Sequence, residues 1–357
     1  MKKKTVWIIL LVLVLILTAA LIVAANVILG KNGHSYYNDD GSYRHITAAD
    51  SFAYAEGHPA FAEFSTFIQP WKDAVNQVVT PLQSIRFVCG INHFNTDSII
   101  DGFNFVIDAA SGGQIYYDFY TAAERTADPT KEDTGLIFIP GERGAPVAFL
   151  TSGGAFKSVC LFAEGFPVGN ILHQMGYNVF ILKYRVDPNN PNNINPSNPQ
   201  ENYANEDFGR ALQYIFANQD AFGVNMEGYS IWGFSAGGRT TFLWGLDNDY
   251  GYEHYGLPAP AAMVLVYSGW YDKQFEGQYG TVPPTYFAWL PNDDVIGDNN
   301  ISGISEYIDY LRRQGVTVGE HAYYEAKHGF GEGRGTDAEG WIEEAAEFWE
   351  AQRASAG

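Results

Sequence analysis

Two hydrophobic periods alternate along most of the chain. From residue 113 onward, short apolar or alternating runs of strand length are interleaved with amphipathic runs of helical spacing. Residues 114–120, 135–139, 146–150, 178–184, 229–232, 262–267, 285–289 and 322–326 read as strands. Residues 168–175, 208–218, 239–246, 302–314 and 339–352 read as helices, the last opened by a capping box, Thr336-x-x-Glu339. The runs 262–267 and 285–289 are continuously apolar, as strands covered on both faces should be. Strands alternating with helices predict an α/β fold around a mostly parallel sheet. Upstream, residues 46–111 mix aromatics with helical spacing, clearest over 97–110, where Ile99, Ile100, Phe103 and Val106 share one side. This segment is expected to pack on the core as an extension. Residues 187–200, rich in Asn and Pro, can form neither a helix nor a central strand. They leave the C-terminal end of a strand, the edge at which open α/β sheets bind ligands.

The N-terminus has a different pattern. Lys2, Lys3 and Lys4 precede an uncharged apolar run from Val6 to Ala25 that continues past Asn26 to Leu29. That run, about 24 residues, suffices to span a hydrocarbon core of ~30 Å and exceeds the apolar region of a cleaved signal peptide. The reading is a transmembrane helix over residues 5–29, with the lysines holding the tail in the cytoplasm and the remainder of the chain outside it. Cleavage after the small residues Val23-Ala24-Ala25 is the alternative and would give a secreted protein. The expected organisation is tail and anchor over 1–30, a polar stalk over 31–45, a helical extension over 46–112 and a catalytic domain over 113–357.

Composition adds limits. A formal charge of −20, from 21 basic and 41 acidic residues, disfavours nucleic acid and anionic lipid as partners. Two cysteines, Cys89 and Cys160, permit a disulfide outside the cytoplasm and equally fit two buried thiols. No CxxC, His/Cys cluster or HExxH occurs, so neither a metal nor a cofactor is expected.

The candidate chemistry centres on Gly233-Phe234-Ser235-Ala236-Gly237, a G-x-S-x-G pattern between a strand and a helix. In that setting the serine sits on a tight turn with a helix N-terminus behind it. A serine hydroxyl needs a base within hydrogen-bond reach and a carboxylate to orient that base. Both should lie on loops after later strands. The run 285–289 leads into Pro291-Asn292-Asp293-Asp294, where Asp293 is the preferred acid and Asp294 stays open. His328, flanked by Gly329 just past a late strand, is the candidate base. After the third strand, Ser152-Gly153-Gly154-Ala155 offers backbone donors, with Gly154, Ala155 and the N–H of Ala236 as the expected oxyanion hole.

Taken in order, Gly153-Gly154-Ala155-Phe156, Gly176-Tyr177 with Tyr184-Arg185, the Ser235 elbow, Pro283-Pro284 leading to Asp293, and His328-Gly329-Phe330-Gly331 resemble the α/β-hydrolase superfamily. The likeness is to its acetyl esterase and hormone-sensitive-lipase-like carboxylesterase branch, over about residues 113–352. It implies an eight-stranded, mostly parallel sheet and cofactor-free ester hydrolysis with Ser235 as nucleophile, His328 as base and Asp293 as orienting acid. The family's His-Gly-Gly-Gly is replaced here by Ser152-Gly153-Gly154-Ala155, which keeps the backbone donors and loses the histidine. The expectation is an anchored, extracytoplasmic serine carboxylesterase for small or glycan-linked esters. The short connection from residue 267 to 283 leaves no room for a large lid and favours acetyl-type groups. The rival readings are a prolyl-oligopeptidase-like serine peptidase and a non-catalytic binding module on a hydrolase fold.

Overall fold

A computed structural model of the chain describes residues 35–63, 94–156, 158–186, 203–246, 251–268 and 281–356. The expected anchor, the Asn/Pro-rich run 187–200 and Cys89 lie outside the described residues. Among the described residues no helix is long and apolar enough to cross a membrane.

Eight strands form one sheet in the order β1-β2-β4-β3-β5-β6-β7-β8. They are β1 Tyr116–Tyr117, β2 Gly135–Ile139, β3 Pro146–Thr151, β4 Asn178–Lys183, β5 Asn225–Phe234, β6 Ala262–Val266, β7 Thr285–Trp289 and β8 Val318–Ala322. From β4 to β8 every neighbouring pair is parallel, while β2 runs antiparallel to β1 and β4. β2, β4 and β6 are buried residue for residue, which is why their sequences are largely apolar runs.

The helices are α1 Phe52–Glu56, α2 Thr96–Ser111, α3 Ala122–Ala127, α4 Phe166–Gln174, α5 Tyr203–Ala217, α6 Gln219–Phe222, α7 Ser235–Gly245, α8 Asp298–Arg313 and α9 Trp341–Ala356. Side chains on β5 alternate between two helical layers. Trp232 and Phe234 meet Trp341 and Trp349 of α9. On the other face, Phe149 of β3 meets Phe208 of α5, which in turn meets Trp244 of α7. Outside α4 lies α2, which buries Ile99, Phe103 and Val106. Phe103 stacks edge-on against Phe166 at 6.1 Å and against Phe52 of α1 at 6.0 Å. Residues 35–45, expected as a polar stalk, fold onto the same cluster. Tyr36 stacks on Tyr54 at 4.6 Å, and Tyr37 bridges to Tyr43.

Several boundaries differ from the sequence reading. The strand expected over 114–120 pairs only at Tyr116–Tyr117. The last strand is 318–322 rather than 322–326, because the N–H groups of Tyr324, Glu325 and Ala326 donate to the Asp337 carboxylate (2.6–2.9 Å) instead of to a strand. The box at Thr336 does not form. The Glu339 carboxylate accepts from the Gly335 N–H, and the helix begins at Trp341. A full capping box occurs at Thr121 and Glu124, ahead of α3.

Candidate active site

β5 ends at Phe234 and α7 begins at Ser235 itself, four residues before the expected helix start. Ser235 takes φ 48°, a left-handed conformation that a non-glycine residue adopts only under constraint. The constraint is close packing. A Cβ on Gly237 would lie 2.1 Å from the carbonyl oxygen of Thr151, and one on Gly233 would lie 2.3 Å from Thr241 Oγ1. Glycine at both places lets α7 press against β5 and the end of β3, so the Ser235 hydroxyl is lifted above the C-terminal edge of the sheet.

Two loops on that edge converge on it. Ser235 Oγ lies 2.8 Å from His328 Nε2, and His328 Nδ1 lies 2.8 Å from Asp293 Oδ2. His328 and Asp293 are buried, whereas Ser235 is half-buried and open to a substrate. Asp293 Oδ1 accepts the N–H groups of Val295 and Ile296 at 2.8 and 3.0 Å, which orients the carboxylate. Burial pushes the Asp293 carboxyl up, but the His328 contact and those two N–H groups outweigh it and hold the group below the usual carboxylate range. Asp294 is exposed, and the carboxylate that meets His328 is that of Asp293.

The loop after β3 closes the third side. Gly154, Ala155 and Phe156 all have positive φ (129°, 54° and 57°). Two non-glycine residues in succession there cost roughly 1 kcal/mol or more each. The N–H of Gly153 is taken by Glu164 Oε2 at 2.5 Å, so Gly154 and Ala155 carry the donors left at the mouth of this loop, opposite the N-terminus of α7 at Ala236. A Cβ on Gly153 would stand 2.8 Å from Ser235 Cβ, which measures how near the two segments run. Beneath, Tyr184 Oη donates to the Ser152 carbonyl at 2.8 Å, and Arg185 is fixed by the buried carboxylate of Asp207.

Sequence reasoning passed over three residues here. Glu164 is fully buried and bonded to Gly153 and to Tyr267 Oη. Its only sequence signal is one charge in the apolar run Val159–Val168. Tyr267 packs its ring 5.1 Å from that of His328. Asp337 holds the segment that leads to His328. Beyond His328, Glu332 Oε1 accepts from Ser98 Oγ of α2 at 2.5 Å and pairs with Arg334, which also pairs with Asp101. Among the described residues no group of three or more His, Cys, Asp or Glu side chains could hold a metal ion.

The Ser235 turn after β5 and the loops carrying Asp293 and His328 after β7 and β8 thus meet at one edge of the sheet. The model of the BD-FAE family matches residues 137–256. The chain has the α/β-hydrolase fold. Similar solved structures include an alpha/beta hydrolase enzyme from a Medee basin deep-sea metagenome library, at 19% identity over 62% of this chain and 93% of that one, with a TM-score of 0.50. A fungal esterase from Rhizomucor miehei matches at 17% identity, over 63% and 81% of the two chains, with a TM-score of 0.50. Esterase B from Lactobacillus rhamnosis matches at 14% identity, over 68% and 86%, with a TM-score of 0.51. No curated protein matches the chain in sequence. The BD-FAE match runs from β2 past the turn at Ser235. It takes in the loop after β3 and Ser235, while Asp293 and His328 lie beyond it.

Proposed function

We propose that the chain is a serine carboxylic ester hydrolase acting on short-chain, acetyl-type esters. The observation that carries the reading is the unbroken relay from Ser235 Oγ through His328 to Asp293, each link 2.8 Å long. In the tautomer this requires, Nδ1–H donates to Asp293 and Nε2 accepts the serine proton. Ser235 Oγ attacks the ester carbonyl carbon while its proton passes to His328. Negative charge gathers on the former carbonyl oxygen, which faces the N–H groups of Gly154, Ala155 and Ala236. Asp293 stays ionised and stabilises the imidazolium. Collapse breaks the bond to the alcohol, which leaves with the proton from His328, and Ser235 keeps the acyl group. Water then attacks the acyl-enzyme, gives its proton to His328, and the acid departs as the proton returns to Ser235.

Two of the fold neighbours are esterases, which supports an ester over an amide substrate. Two further parts rest on sequence alone. Residues 5–29 anchor the chain, with the domain over 113–357 and the extension over 46–112 outside the cytoplasm. That location suits esters carried on glycans. The test is a series of p-nitrophenyl esters of rising chain length beside peptide anilides, with a fluorophosphonate probe. Acetate and butyrate esters should turn over fastest, and the probe should label Ser235. Preferential cleavage of anilides would move the assignment to a peptidase. A folded protein that neither labels nor hydrolyses would leave a binding module.

A further inference from the structure

A carboxyl group with no water around it is costly unless something holds it. Glu164 sits in an otherwise apolar stretch, Leu161 to Phe166, and is fully buried. Its Oε2 accepts the Gly153 N–H at 2.5 Å and its Oε1 accepts Tyr267 Oη–H at 3.0 Å. Gly153 is the residue from which the strained segment Gly154–Phe156 departs. The same segment is held from its far side by Ser158 N–H on the Gly154 carbonyl and Cys160 N–H on the Gly153 carbonyl. Tyr267, at the end of β6, takes φ 34° and lays its ring against His328. One carboxylate thus touches the backbone beneath the oxyanion loop and the side chain packed on the base.

Resting on the ester-hydrolase reading, we propose that Glu164 is a positioning residue. It clamps the loop Gly153–Phe156 in its left-handed course beside Ser235 and ties that loop to the His328 ring through Tyr267. The groups that face it are Tyr267 from the end of β6, Tyr184 from the end of β4, Cys160 from the turn before it, and His328 from the loop after β8. Burial raises the Glu164 carboxyl to about 7, against the opposing pull of the Gly153 and Tyr267 bonds and of His328. Above that value the ionised group accepts both bonds. Below it, the protonated group has one oxygen occupied as a donor, and the clamp loosens. Activity should therefore fall as pH drops through the Glu164 ionisation.

The variants that test this are Glu164→Gln and Glu164→Ala, read by kcat, KM, pH profile and end-point fluorophosphonate labelling. Glu164→Ala should lower kcat about 100-fold, the scale of a misdirected oxyanion donor. Its KM should stay within about threefold, because substrate enters the same open site. Glu164→Gln keeps an acceptor for Gly153 and cannot titrate, so the part of the acid fall that belongs to Glu164 should be missing and its profile should be shallower than that of wild type. If Glu164→Ala does not fold, the Glu164→Gln profile alone decides. The proposal is overturned if Glu164→Ala labels to completion and keeps kcat within about threefold of wild type. It is also overturned if Glu164→Gln keeps the acid limb of wild type. Wild type that neither labels nor turns over esters would overturn the hydrolase reading and this one together.

Discussion

Ser235 holds a left-handed backbone that its own side chain disfavours, and both neighbouring contacts exist to keep it there. In the proposed mechanism serine, histidine and carboxylate act as one unit, so Ser235→Ala and His328→Ala should each abolish nearly all ester hydrolysis. The double variant should lose little more, as steady-state kinetics on p-nitrophenyl acetate would show. Ser235→Ala removes only a half-buried hydroxyl and should leave circular dichroism at wild type, while His328 is buried, so His328→Gln, which fills more of its space, is the control for folding. Asp293→Asn removes the charge that stabilises the imidazolium and should lower kcat by about 10⁴, the size seen in a serine protease. Asp294→Asn, at an exposed position, should change kcat by less than about threefold; the reverse order of the two effects would reassign the acid. The residues of this relay were legible in the sequence because motif and chain order fix them, apart from the choice between the two aspartates, which burial separates. Glu164 was not legible. A single glutamate in an apolar run looks like an exposed helix position until the fold closes over it.

At the scale of elements, legibility followed burial. β7 was read to the residue and β4 and β6 to within one, since strands covered on both faces leave continuous apolar runs. β8 was misplaced because it is an edge strand of half-exposed residues, Val318-Gly319-Glu320-His321-Ala322, whereas the more apolar Tyr323–Ala326 that follows is a loop. The start of α7 was hidden by Gly237 and Gly238, which no propensity scale favours in a helix. What replaces strand pairing over 324–326 is the Asp337 carboxylate, and that substitution has a measurable consequence. Burial raises the Asp337 carboxyl, but the N–H groups of Glu325, Ala326 and Tyr324 pull it below the usual range. A carboxyl depressed in the folded state contributes stability above its unfolded pKa and loses it as pH falls through the folded one. Asp337→Ala should cost about 0.5–1.5 kcal/mol at neutral pH by urea unfolding, the group being exposed and screened by water, with the difference from wild type narrowing under acid. It should also lower kcat, since this segment leads directly to His328. A pH-independent difference would mean that the three bonds contribute nothing to the charged form.

For the whole molecule, the proposed anchor predicts that the full-length protein stays with membranes through a high-salt wash and leaves only with detergent. Recovery of most of it as a soluble species beginning near Asn26 would show cleavage instead. The tether between α2 and the loop beyond His328 bears on how such a chain comes into being. Ser98 and Glu332 stand 234 positions apart, yet their side chains meet at 2.5 Å. Synthesis runs from the N-terminus, so α2, the oxyanion loop and the Ser235 elbow all precede the acid and the base. On the proposed mechanism, a chain made only as far as the elbow carries the serine without its base. Glu332 and Arg334 reach Ser98 and Asp101 only once the stretch that also delivers His328 to Ser235 has been made. Closing this tether and supplying the base to the serine are thus expected to be one event, which a chain stopped before residue 328 cannot reach.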